Sequence, residues 1–281
     1  MSVLTREPLA HAPLTRRNPT VKLAALTVVS VAVVFVLDPV TPAVLYVAAL
    51  VAVAAGTRAT ARTLALGHLP FLAFGLGVLV VNTLTRPGEV LWQWGVLRVT
   101  VEGLSVGGAL GIRCLLIGVC VIGFVLSTDG VALMTSLHHN ARLGARPTYA
   151  VLAGYRMLQE MPREWSTIRH AHAVRATPRG GSSPRTRTSV SPARRARPPR
   201  GPRHMAGVVF TLLVVTVRKG ERMAQALESR GLGLSPRTTW RPTPVRPADW
   251  ALLAGVVVVL AAVLVAGHLA GTLRGPGALF G

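Results

Sequence analysis

Acidic residues are scarce in this chain: ten Asp and Glu stand against 31 Lys and Arg over 281 residues, a formal net charge of +21. Lysine itself occurs only at Lys22 and Lys219. A subunit that hydrolyses ATP needs a glycine-rich loop ending in Gly-Lys-Ser/Thr to cradle phosphates. Neither lysine follows a glycine, so that loop is absent. The acids, from Glu7 to Asp249, are scattered and lie mostly at the ends of apolar runs, which speaks against a membrane-embedded enzyme. Cysteine is nearly missing as well. Cys114 and Cys120 lie six residues apart in one apolar run, so on a helix they point in different directions. Neither a disulfide framework nor a metal site follows. His138-His139 and His170/His172 have no carboxylate or cysteine at ligand spacing and read as solvated side chains.

What is present is apolar. Charged residues make up 15% and hydrophobic residues 51%, with a mean hydropathy of +0.48. Soluble domains carry about a quarter charged residues, so this chain is solvated largely by lipid. We expect an all-α, polytopic membrane protein of about five transmembrane helices with cytoplasmic coupling helices. The spans read as Val21–Leu37, Val40–Gly56, Leu64–Leu84, about Val101–Leu126, and Ala251–Leu269 after an interfacial Trp250. The third contains Pro70, Gly75 and Gly77, which membrane helices tolerate where neighbours satisfy the backbone. Residues 86–100, with Trp92 and Trp94, read as an interfacial loop or short amphipathic piece. Met1–Asn18 is polar, and Asp38-Pro39 follows the first apolar run, so no cleavable signal peptide is expected.

The positive charge has a location. Most of it lies between Arg142 and Arg246, beside the spans. Basic composition alone suits nucleic acid, but a basic block flanking membrane spans is what the positive-inside rule produces. Counting Lys and Arg in the loops puts the N-terminus and residues 127–248 in the cytoplasm, at the plasma membrane. The domain reading is then residues 1–126, four spans; 127–248, a cytoplasmic section; and 249–281, the last span with an extracytoplasmic tail. Within the middle section, about 177–204 is low-complexity Arg, Pro, Ser and Gly that cannot bury a core and reads as a disordered linker. Met205–Val217 is apolar but too short to span. It reads as a helix on the membrane or against its neighbours.

Two segments of that section echo one another. Ala171 and Arg175 share a helical face at i and i+4, and so do Ala226 and Arg230. Ile168 and Met223, three residues earlier, extend each face with an apolar group. Arginine suits bidentate pairing with carboxylates, so each segment suits docking to an acidic partner; the plainer reading is a basic helix beside anionic lipid. In the fourth span Gly103, Gly107 and Gly111 recur every four residues, a small-residue face for helix packing or for contact with a membrane partner. Arg113 lies near the middle of that span, where a charge faces the protein interior. A tie to Glu102 or to a backbone carbonyl would serve it.

These residues resemble the transmembrane T component of energy-coupling-factor (ECF) transporters, including the cobalt-transport type. That family carries Ala-Arg-Gly-type motifs at the ends of two cytoplasmic coupling helices. Ala226-x-Glu228-x-Arg230-Gly231 is similar to the second motif in full. The first is altered, with Ala176 after Arg175 where the family has glycine; Arg179-Gly180 competes for it, although Pro178 suits a helix badly. Asn18-Pro19 with Lys22-Leu23, Glu102-Gly103-Leu104 leading to Arg113, Leu126-Ser127-Thr128, and Pro162 with Glu164 extend the resemblance. The resemblance implies no enzymatic activity and no cofactor in this chain. It implies two ATP-binding-cassette (ABC) ATPase subunits holding ATP and Mg, and a small membrane S component that captures a vitamin or transition-metal ion. Alongside the S component, the lipid bilayer is the expected partner; nucleic acid is not. Ala171, Arg175, Ala176, Ala226, Glu228, Arg230 and Gly231 would dock the ATPases. The competing classes are a permease passing solute through its own helices and a membrane-anchored scaffold with a basic cytoplasmic region.

Overall fold

A computed structural model describes residues 12–36, 38–94, 97–176, 201–234 and 243–271. The first helix, α1 (Pro19–Val34), opens on Asn18, whose side chain accepts the Thr20 N–H at 3.0 Å, with Pro19 in the first turn. That is the preferred start of a helix, since the cap supplies an acceptor and proline fixes φ where no donor is needed. The Asp38 carboxylate accepts the Thr41 N–H at 2.7 Å and starts α2 (Val40–Thr57) almost at once. Then follow α3 (Ala61–Thr85), a hairpin of β1 (Val90–Trp94) and β2 (Leu97–Thr100), α4 (Val101–Ser127) and α5 (Gly130–Asn140). The chain continues through α6 (Ala145–Ala176), α7 (Pro202–Ser229) and α8 (Pro247–Leu269).

Four helices, α2, α3, α4 and α8, are long and apolar enough to cross a bilayer. The fifth expected span is shorter than its reading: α1 has 16 residues and ends at Val34, so at 1.5 Å per residue it covers about 24 Å. The reading of residues 86–100 as a loop or amphipathic piece is corrected. They pair as an antiparallel hairpin, Val90 opposite Thr100 and Trp92 opposite Val99. Every other element among the described residues is a helix.

Helices α1 to α5, α8 and the hairpin form one compact unit, and α6 with α7 forms a second. In the first, Val33, Leu45, Leu116 and Leu260 make one buried cluster and Val53, Leu64, Val119 and Ile122 another. Outward-facing Val51, Phe74 and Val258 are exposed, as they must be where lipid is the solvent. Gly123 lies against Val53 and Gly67 against Ile122, so α4 runs parallel to α2 and antiparallel to α3. The starts of α1, α3 and α8 therefore gather with the ends of α2 and α4. Arg16, Arg17, Lys22, Arg58, Arg62 and Arg246 all sit at that end.

The second unit corrects two boundaries. The apolar stretch 205–217 is helical, as expected, but belongs to a longer helix, and that helix begins inside the segment read as low-complexity to about 204. A single helix, α7, begins at Pro202 behind Gly201 and runs 28 residues to Ser229. A change from apolar to charged composition at Arg218-Lys219 does not interrupt backbone hydrogen bonding, so the helix passes through it. Residues 177–200 of the expected linker lie outside the described residues.

Candidate coupling site

The end of α7 explains the second motif residue by residue. Leu232 N–H donates to the Leu227 carbonyl at 3.0 Å and Gly231 N–H to the Glu228 carbonyl at 2.9 Å. This pair of bonds is a Schellman closure, which satisfies carbonyls a helix end would otherwise leave open. It requires a left-handed residue at the turn, and Gly231 supplies φ +80°. A side chain there would be strained, and its Cβ would meet Leu234 at 3.0 Å. Arg230 is the cap residue just before the turn and is exposed, as are Ala226 and Glu228.

The first motif ends differently. α6 continues through Arg175 to Ala176, its last helical residue. Ala171 and Arg175 are exposed, whereas Ile168 is turned inward and buried. The alternative Arg179-Gly180 lies outside the described residues.

What no local pattern indicated is how the two helices are arranged. Lys219 on α7 pairs with Glu160, and at 3.3 Å with Glu164, on α6. The His172 ring meets the Thr211 hydroxyl at 3.1 Å, and the Arg146 guanidinium lies against Gly233. As one number rises the other falls, so the helices are antiparallel. Arg230 therefore lies level with about residue 150 of α6, roughly 25 residues from Arg175, or about 38 Å at 1.5 Å per residue. The structure does not bring the two motif arginines together. It sets them at opposite ends of one helical pair. Neither guanidinium has a partner among the described residues. The Lys219 ammonium is held above its usual range by hydrogen bonds to Glu160 and Glu164, and the Glu160 carboxyl below its own by the bond from Lys219.

In the first unit, Gly103, Gly107 and Gly111 face α3. A Cβ at Gly107 would stand 2.9 Å from the Leu79 carbonyl oxygen, one at Gly103 2.7 Å from that of Asn82, and one at Gly111 3.1 Å from that of Gly75. The stripe lets two backbones touch. Arg113 reaches back to the Val36 carbonyl beyond the end of α1, where a cation complements the helix dipole. Glu102 is not its partner; its carboxylate accepts the Glu89 N–H of the hairpin at 2.8 Å.

One constellation had only a faint sequence signal, the Asn18-Pro19 pair. The chain leaves the first unit after Asn140 and re-enters it near Thr243. Asn140 Nδ2 donates to the Thr243 carbonyl at 3.1 Å, and Asn18 Nδ2 donates to the same carbonyl at 3.1 Å. Ser136 Oγ, fully buried, donates to Asn18 Oδ1 at 2.6 Å. Asn18 N–H donates to Asp249 Oδ1 at 3.0 Å, and Lys22 Nζ to the Ser127 carbonyl at 2.7 Å. Both stems of the inserted helix pair are thus pinned at one buried polar node.

Four long apolar spans and an added pair of amphipathic helices among the described residues define a multi-pass membrane protein. Residues 10–240 match the CbiQ family, described as Cobalt transport protein, and the chain belongs to it. It is therefore a T component of an ECF transporter, a non-catalytic membrane subunit. No curated protein is significantly similar to the chain.

Proposed function

We propose that this chain converts ATP-driven closure of two ABC ATPase subunits into movement of a small membrane S component, importing a vitamin or transition-metal ion. ATP and Mg belong to the ATPases, and the choice of substrate to the S component. The observation that carries this reading is the pair of exposed arginines, Arg175 and Arg230, which have no partner among the described residues and stand at opposite ends of the antiparallel α6–α7 pair. Two like sockets on a pair of ATPases need two separated plugs on one rigid rod, and about 38 Å of helix provides that. Each guanidinium would pair with acidic groups of one ATPase. The basic end of the membrane unit favours a cytoplasmic N-terminus and cytoplasmic coupling helices. The permease reading is weakened because Asn82 donates to the Val78 carbonyl and Arg113 to that of Val36, so both side chains weighed for a solute path bond within the protein.

Arg230→Glu reverses one plug without disturbing the Gly231 turn. Uptake of the transported solute by cells expressing the complex is expected to vanish while the chain stays in the membrane. Wild-type uptake with both ATPases still co-purifying would refute the assignment.

A further inference from the structure

Three segments far apart in sequence bring arginines to one place in the membrane unit. Arg16 and Arg17 precede α1, Arg58 follows α2, and Arg246 precedes α8. The Leu14 N–H donates to the Gly56 carbonyl at 3.0 Å, which lays the first segment on the end of α2. The Asn18–Asp249 bond lays the same segment on the first turn of α8. Arg58 holds φ +50° and turns the chain sharply between α2 and α3. Together they line an open cavity of about 590 Å³ whose walls are Pro13, Arg16, Arg17, Arg58, Arg246 and Ala248.

None of the four guanidinium groups makes a hydrogen bond or ion pair among the described residues. Asp249, the acid in the first turn of α8, is held by the Asn18 and Arg246 backbone N–H groups and also faces Lys22, so it offsets at most one of these charges. Four like charges gathered around a single carboxylate leave a net positive excess among the described residues, and the start of α8 adds its own partial positive charge. An anion with several oxygens relieves both, and the planar guanidinium fork matches phosphate.

A second cavity of about 450 Å³ decides which phosphate. It lies among α1, α2, α4 and α8, is almost wholly apolar, and is walled by small residues including Ala25, Ala48, Ala52 and Gly255. The two cavities interleave along the chain. Arg16 lines the first and Leu14 the second; on α8, Ala248 lines the first and Ala251 and Leu252 the second. A cationic chamber at the end of the helices thus lies beside an apolar trough between them. We propose that together they hold one anionic phospholipid, its headgroup phosphate among the four arginines and an acyl chain in the trough. A free phosphate or a nucleotide would fill only the chamber. Basic pockets between spans on the side facing anionic lipid are where such headgroups lodge. The site does not depend on the coupling role of α6 and α7.

The test uses the delipidated full-length chain in detergent, with lipid binding counted by native mass spectrometry. Phosphatidylglycerol is expected to bind at least about tenfold more tightly than phosphatidylcholine. Arg17→Gln/Arg58→Gln should weaken phosphatidylglycerol by about thirtyfold, and Arg16→Gln/Arg246→Gln should do the same as an independent pair. Gly255→Leu fills the trough at a position where a Cβ meets nothing within 4 Å, so it should displace lipid while the fold survives, as read by circular dichroism. Arg194→Gln/Arg195→Gln, in the low-complexity segment, should leave the affinity unchanged. Equal binding of the two lipids, or selectivity intact in both arginine pairs, would overturn the proposal. Displacement of the lipid by millimolar inorganic phosphate, with Gly255→Leu without effect, would make the chamber a soluble-phosphate site and overturn the lipid assignment.

Discussion

Asn18→Ala removes the centre of the polar node, and the structure sets the size of the effect. The side chain is buried, 6% exposed, and makes three good hydrogen bonds: from Thr20 N–H, from Ser136 Oγ, and to the Thr243 carbonyl. Loss of the helix cap costs about 1 kcal/mol, and each other buried bond contributes about 1 kcal/mol net. Two orphaned partners keep alternatives, since Ser136 still meets Thr20 Oγ1 and the Thr243 carbonyl still accepts Asn140 Nδ2. The expected loss is therefore about 2 kcal/mol, short of the additive sum of about 3. Asn18→Ser keeps an oxygen for the cap and should recover about 1 kcal/mol of it. Equilibrium unfolding in mixed micelles, followed by circular dichroism, measures both variants. Since the node pins the two stems of the α6–α7 insertion, Asn18→Ala should also lower solute uptake per ATP hydrolysed by the assembled complex. A stability within about 0.5 kcal/mol of the parent, the range of ordinary surface substitutions, would refute the reasoning.

Gly107→Val places a branched side chain against the Leu79 backbone, where a Cβ already stands 2.9 Å from the carbonyl oxygen. Backbone cannot rotate away, so the variant should lose about 1–3 kcal/mol in the same unfolding assay; Gly108→Val, whose Cβ meets nothing within 4 Å, is the matched control and should stay near the parent. The Lys219–Glu160 pair makes the α6–α7 contact sensitive to pH in two directions. The Glu160 carboxyl is depressed, so its share of stability is present above its unfolded value of about 4.3 and fades as pH falls further. The Lys219 ammonium is raised, so its share is complete below about 10.4 and is lost as pH climbs past that. Both side chains are solvated and screened, so the effect is small. Melting temperatures of the parent and of Lys219→Met should diverge less at about pH 4 than at about pH 7, and an equal gap at both would contradict the assignment.

Much of this protein is local and was legible as such. The apolar runs, the breaks at Asp38-Pro39 and Thr57-Arg58, the Asn18-Pro19 start and the Gly231 stop follow from hydropathy, capping and φ preferences within a few residues. So does the placing of Arg16, Arg17, Arg58 and Arg62 beside the ends of apolar runs. Other features were lost to the same locality. The hairpin at residues 90–100 was missed because strand pairing joins residues across a turn, and its runs are too short to show a period. The reach of α7 was underestimated because composition changes at Arg218 while the backbone ladder does not. By itself the sequence determined which stretches are apolar enough to enter a membrane and which helix end bears a cation, since both depend on neighbours along the chain. Only the tertiary structure decided that the motif arginines stand at opposite ends of an antiparallel pair, that Asn18 bonds a residue 231 positions away, and that arginines from three distant segments share one chamber. Those are relations between surfaces, and they come into existence only when the surfaces meet.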